Sequence, residues 1–141
     1  MALEIVRAQP ESVAQFYRHT EREALKTLYA FSVVWHEQSH DFAAVDGDRT
    51  VGAATIRIAA SLAHVERVVV ESTERRRGIG RRLLDSAADV ANYYNCHKMT
   101  AMVPHHSAAQ SFFEACGYRE EAVLPQHTFK LDMVVLRKFL L

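Results

Sequence analysis

Val68-Val69-Val70-Glu71-Ser72-Thr73-Glu74-Arg75-Arg76-Arg77-Gly78-Ile79-Gly80-Arg81-Arg82-Leu83-Leu84 joins a strand to a helix through a basic, glycine-bearing loop. The three valines read as a buried strand. From Ile79 to Tyr94, Leu83, Leu84, Ala87, Ala88 and Ala91 share one helical stripe. The first-turn amides of a helix lack intrahelical partners and carry the positive end of its dipole, so this loop attracts phosphate. Glycines at 78 and 80 let the backbone come close to a diphosphate, and the five arginines between 75 and 82 concentrate positive charge there. A nucleotide P-loop would need Gly-Lys-Ser/Thr where Gly80-Arg81-Arg82 stands, and a dinucleotide fingerprint would need a third glycine.

Upstream, Leu3 to Arg7 is expected as a first strand, ended by Pro10. Glu11 to His40 contains no Gly or Pro and repeats apolar residues at helical spacing, which predicts one bent helix or two, broken near Arg18 to Glu23. Asp41 to Val45 and Thr50 to Ile58 flank Asp46-Gly47, a hairpin signal, and His64 to Val70 completes an antiparallel meander. Apolar residues at 65, 68 and 70 change parity around Glu66 and Arg67, as a bulge would require. Lys98 to Val103 is reached over the helix and so pairs in parallel. Ser107 to Cys116 opens on a Ser-x-x-Gln capping box and closes at Gly117, and Phe129 to Leu136 is the last strand. The expected architecture is one α+β domain over 1–141, a mixed, largely antiparallel central sheet flanked by helices.

Arg75-x-x-Gly78-x-Gly80 resembles the Gln/Arg-x-x-Gly-x-Gly/Ala signature of GNAT superfamily N-acetyltransferases, and it follows a fourth strand as in that family. His106-Ser107-Ala108-Ala109-Gln110-Ser111-Phe112-Phe113-Glu114-Ala115-Cys116-Gly117-Tyr118 is similar to the family's Asn-x-x-Ala-x-x-x-Tyr-Glu-x-x-Gly-Phe. The resemblance implies acetyl-CoA as co-substrate, in a V-shaped opening between the fourth and fifth strands. It implies that Val68, Val69 and Val70 line the pantetheine arm and that Arg75, Arg76, Arg77, Gly78, Ile79, Gly80 and Arg81 surround the diphosphate. His106 and Phe113 would complete the cofactor site.

A lysine-like amine with a pKa of about 10 must lose a proton before it attacks a thioester, so a base is useful. Histone-modifying relatives place a glutamate where this chain has His64; Glu66, two residues on, is the other candidate. The family's usual general acid, a tyrosine, is Phe113 here. Ser111, Tyr93 or Tyr94 is a conceivable substitute, or the thiolate leaves through water. The implied reaction is direct acetyl transfer to a primary amine, of a small molecule or, as rival, a peptide or protein. Helical segment 11 to 40 and the loops near His127 would form its pocket. Phe113 also motivates an alternative, a catalytically inactive acyl-CoA-binding or regulatory module. Dimerisation through the last strands is a further expectation by resemblance.

His36-Glu37-Gln38-Ser39-His40 matches H-E-x-x-H, which on a helix would hold zinc for a hydrolase. No ordered third ligand accompanies it, and no metal is expected. With 17 Lys plus Arg against 17 Asp plus Glu the formal charge is zero, so no global field gathers nucleic acid or a membrane surface. No apolar run exceeds four residues, so no membrane span is expected; Cys96 and Cys116 are too few for a disulfide framework and lack C-x-x-C spacing, which points to a reducing cytoplasm.

Overall fold

The computed structural model describes residues 2–75 and 77–140. It comprises two compact units, residues 1–35 and residues 36–141. Helix α1, Pro10–Tyr29, is a single helix in the first unit. Pro10 stands where a missing N–H is harmless, and Ala30 ends the helix in a left-handed conformation, its N–H donating to the Lys26 carbonyl at 2.9 Å. The expected break at Arg18 to Glu23 does not occur; Arg18 instead pairs with Glu11 two turns back, at 3.1 Å. Leu3 to Arg7 forms no strand, because alternating apolar residues make one only where a neighbour takes their main-chain groups.

The second unit is a six-stranded sheet in the order β1-β2-β3-β4-β6-β5. Strands β1 (Gln38–Asp46), β2 (Arg49–Ala59) and β3 (Leu62–Val70) form the meander. Helix α2 (Ile79–Tyr93) crosses to β4 (Lys98–Pro104), which pairs in parallel with β3. After α3 (Ala108–Ala115) come β5 (Arg119–Leu124) and β6 (Met133–Phe139), β6 lying between β4 and β5. The last strand thus starts four residues later than expected, since Phe129 sits in a short 3-10 turn at φ +52°. Strand β5 is an addition to the sequence reading. No helix among the described residues is long and apolar enough to cross a membrane.

Helices α2 and α3 cover one sheet face. Ile56, Val65, Leu84, Ala87, Met99, Phe113 and Leu136 meet there, all nearly inaccessible. Burying Leu83 and Leu84 contributes about 1.5–3 kcal/mol each. The capping box of α3 is formed: the Gln110 amide donates to Ser107 Oγ at 3.2 Å, and the Gln110 side chain accepts from the His106 amide at 2.6 Å. At its far end Gly117 (φ +94°) donates to Glu114 and Tyr118 to Phe113, both at 3.0 Å, while the Tyr118 and Phe113 rings meet edge-on.

Two turns set the meander's register. Gly47, at φ +63°, is the first of two residues between Asp46 and Arg49, where glycine is free of strain. The β2–β3 turn uses Ala60 and Ser61 at φ +53° and +59°, a left-handed pair without glycine. Left-handed geometry costs a residue with a Cβ about 1–2 kcal/mol. Ala60→Asn, which suits that geometry and spares the Ser61 hydroxyl bonded to His97, is expected to raise stability by about 1 kcal/mol in chemical denaturation. An unchanged midpoint would mean that the turn is relaxed.

Candidate active site

Strand β3 pairs with β4 only over Leu62–His64 against Lys98–Thr100. The reason is one residue along: Thr55 faces Arg67 and Ile56 faces Val65, so Glu66 is the extra residue of a bulge. Beyond it the strands separate, and a groove of about 830 Å³ opens between Val65–Val70 and Ala101–Val103.

Main-chain groups alternate sides along a strand, so the direction of Val68–Val70 follows from one bond. The Glu71 amide donates to the Val51 carbonyl at 2.9 Å, toward β2. Val69 therefore also turns its main chain to β2, while Val68 and Val70 present theirs to the groove. The groove runs on to Arg75, Gly78, Ile79, Gly80 and Arg81. Gly78, left-handed at φ +72°, caps α2, and among the described residues no side chain caps the amides that follow. No acidic residue stands in that first turn, so its dipole is uncompensated. At Gly80 a Cβ would lie 2.8 and 2.9 Å from two Phe112 ring atoms; only glycine lets the ring lie there.

The arginines are divided by their partners. Arg77, itself outside the groove lining, binds Glu74, which is part of that lining, at 2.6 Å and Asp46 at 3.4 Å, and Arg49 joins the same network through Glu74 at 2.6 Å. Hydrogen bonds from Arg77 and then Arg49 hold the Glu74 carboxyl below its usual range. This network ties the β1–β2 hairpin tip to the loop. Arg81 lines the groove, and its guanidinium donates to the Ala115 carbonyl at the end of α3. Arg75 lines the groove; Arg76 lies outside the described residues.

A strand pair splayed by a bulge and leading to an uncapped helix start is an arrangement with known counterparts. The family model described as acetyltransferase (GNAT) domain matches residues 6–135. The chain belongs to the GNAT acetyltransferase family. Three solved structures share the fold of this GNAT domain. An acetyltransferase from Bacillus cereus ATCC 14579 is 15% identical, with a TM-score of 0.74 over 97% of this chain and 98% of that one. A Bacillus subtilis acetyltransferase in complex with CoA is 16% identical, with a TM-score of 0.67 over 98% and 97%. The ribosomal-protein-S18-alanine N-acetyltransferase of Escherichia coli is 17% identical, with a TM-score of 0.64 over 95% and 91%. No curated protein matches the sequence.

In this GNAT domain His64 occupies the last rung before the strands part, beside the groove rather than in its lining. Its Nδ1 lies 2.9 Å from the Thr100 hydroxyl. Burial pushes the imidazole below its ordinary pKa; Arg57 adds to the drop and Glu66 opposes it. Glu66 lines the groove and binds Arg57 at 3.2 Å, and Arg57 also reaches Glu37 at 3.2 Å. Arg57 and Thr100 were not singled out from the sequence. Both alternate with buried residues, Ile56 and Ile58 or Met99 and Ala101, and that alternation places them on the polar sheet face.

Phe113 lines the groove, buried, with its ring edge-on to Phe112 at 5.3 Å. His106 lies outside the lining, left-handed at φ +62° and stacked on His105 at 3.7 Å. Ser111, Tyr93 and Tyr94 are also outside it. The two tyrosines sit at the far end of α2, about 20 Å along its axis from Gly78. The buried Tyr118 hydroxyl donates to Met99 Sδ, and burial raises its pKa. Cys116 does line the groove, and burial raises its pKa, so it holds its proton.

The H-E-x-x-H reading is corrected by the backbone. His36 precedes β1 and His40 lies within it, so the helix that would bring two imidazoles one turn apart is missing. Glu37 is held by Arg57, and His40 contacts Gln38 at 2.9 Å. Among the described residues no group of three metal-ligating side chains occurs.

Proposed function

We propose that this protein moves an acetyl group directly from acetyl-CoA to a primary amine of a small molecule, in the cytoplasm. The observation that carries this reading is the splayed strand pair, whose free main-chain edge at Val68 and Val70 leads to the uncapped first turn of α2. The turn's amides would hold the diphosphate, with Arg75 beside them, and the strand edge would hold the amide groups of the pantetheine arm. Acetyl-CoA supplies a thioester carbonyl carbon for the amine to attack. The Val68 amide is the donor for the carbonyl oxygen as it gains charge. His64, with Nδ1 engaged by Thr100, keeps Nε2 to take the proton that the amine loses as its N–C bond forms and the C–S bond breaks. Because Phe113 has no hydroxyl, the leaving thiolate takes its proton from water. The free, buried thiols of Cys96 and Cys116 suit a reducing compartment.

A second reading, binding without turnover, is favoured by Phe113 and by the absence of any tyrosine from the groove lining among the described residues. One preparation separates the two. Acetyl-CoA at about 100 times its Kd is expected to stabilise the fold by about 2.7 kcal/mol in a thermal shift. An amine panel should then release free CoA thiol in step with acetylated product. A thermal shift with no product from any amine would leave only the binding module, and no shift at all would defeat both readings.

A further inference from the structure

The polar face of the sheet, opposite α2 and α3, carries a row of register partners across the point where β3 and β4 part. Arg57 on β2 pairs with His64 on β3, His64 with Thr100 on β4, Thr100 with Arg137 on β6, and Arg137 with Arg119 on β5. Register partners face the same side, so these five side chains form one rung. Its charge is uneven. On the β2 side Arg57 is flanked by two carboxylates, Glu37 and Glu66, each at 3.2 Å, which leaves a net negative charge beside His64. On the other side, among the described residues, Arg137 and Arg119 have no carboxylate within the 4.0 Å of an ion pair. The neighbouring charges do not offset them: Lys98 is held by Glu121, while Arg67 and Asp41 share the next rung with opposite sign. Arg137 is half-buried, its guanidinium over the Phe139 ring at 4.4 Å. Stacking occupies the guanidinium face and leaves the N–H edge for a planar anion.

From this polarity we infer that the acceptor is an amine that also carries a carboxylate, its amino group lying at Glu66 and His64 and its carboxylate on Arg137. The inference rests on the N-acetyltransferase reading and narrows its substrate class. Strands are spaced by about 4.8 Å, so His64 and Arg137, two strands apart, stand about 10 Å apart at Cα. The negative end draws the ammonium in and His64 then removes its proton, while the positive end fixes the carboxylate by two parallel hydrogen bonds.

Matched acceptors test this: an amino acid, its methyl ester, and the amine left by removing its carboxyl group, for instance phenylalanine, phenylalanine methyl ester and 2-phenylethylamine. The free acid is expected to be favoured in kcat/KM by on the order of tenfold to a hundredfold, the usual worth of a charge-assisted hydrogen-bond pair. Arg137→Gln should remove most of that preference, chiefly through KM, and Arg137→Lys should restore part of it. The acetyl-CoA thermal shift of each variant checks that the protein is folded. Equal rates for the three acceptors, a preference that survives Arg137→Gln, or faster acetylation of a protein N-terminus would overturn the inference and leave acetyl transfer standing. Failure of every amine would overturn both.

Discussion

Gly80→Leu is expected to weaken acetyl-CoA binding by more than about a hundredfold, equivalent to about 3 kcal/mol, and to abolish its thermal shift. The first atom of any side chain at 80 already lies 2.8 Å from the Phe112 ring, and the rest of a leucine must enter the groove beside the α2 amides. Phe112 cannot retreat alone, since it packs edge-on against Phe113, itself part of the core. Overpacking of this kind costs about 1–3 kcal/mol of stability, so the variant should melt earlier yet cooperatively. Gly78→Ala is the informative contrast. A Cβ there meets nothing within 4 Å, but φ +72° makes it strained by about 1–2 kcal/mol. It should disturb the start of α2 without filling the groove, and so weaken binding less. Calorimetric titration with acetyl-CoA ranks the three proteins. Undiminished binding by the leucine variant would place the coenzyme somewhere other than this groove.

The contrast between the two glycines also shows what the sequence could and could not disclose. Two glycines in a basic loop announce an anion site, but not that one supplies a left-handed cap and the other makes room for an aromatic ring. The arginine count misleads in a similar way. Arg77 is spent on Glu74, three residues back, and on Asp46 at the hairpin tip, a partner invisible in local spacing, and Arg81 serves the end of α3. What remains at the groove is Arg67, Arg75 and a strand edge of main chain, whose direction comes from strand register.

Register was legible where the pattern was clean. The parity change at Glu66 and Arg67 announced the bulge, and Asp46-Gly47 announced the hairpin. It was hidden at β5, where Arg119, Glu120 and Glu121 mask the alternation of an exposed edge strand that carries a bulge of its own between Glu120 and Ala122. At Leu3 to Arg7 the opposite error arose, because apolar residues alone suggested a strand. Thr100 and Arg57 become site residues only once pairing sets them beside His64, 36 and 7 residues away in sequence.

That pairing makes His64 testable by pH. An imidazole acting as base must be neutral, so activity is present above its pKa and lost as pH falls through it. Burial lowers this pKa, which puts the midpoint of the acid limb of kcat/KM below about 6.5. His64→Ala is expected to lower kcat by about 10²- to 10⁴-fold and to remove that limb. The neighbours should move the limb in opposite directions. Glu66 favours the protonated ring, so Glu66→Gln shifts the limb to lower pH; Arg57 disfavours it, so Arg57→Gln shifts the limb to higher pH. A structural role for the histidine would lower activity at every pH and leave the limb in place. Should His64→Ala keep most of the rate while Glu66→Gln loses it, the proton passes to the carboxylate at the bulge, and the bulge itself is then what brings the base into the groove.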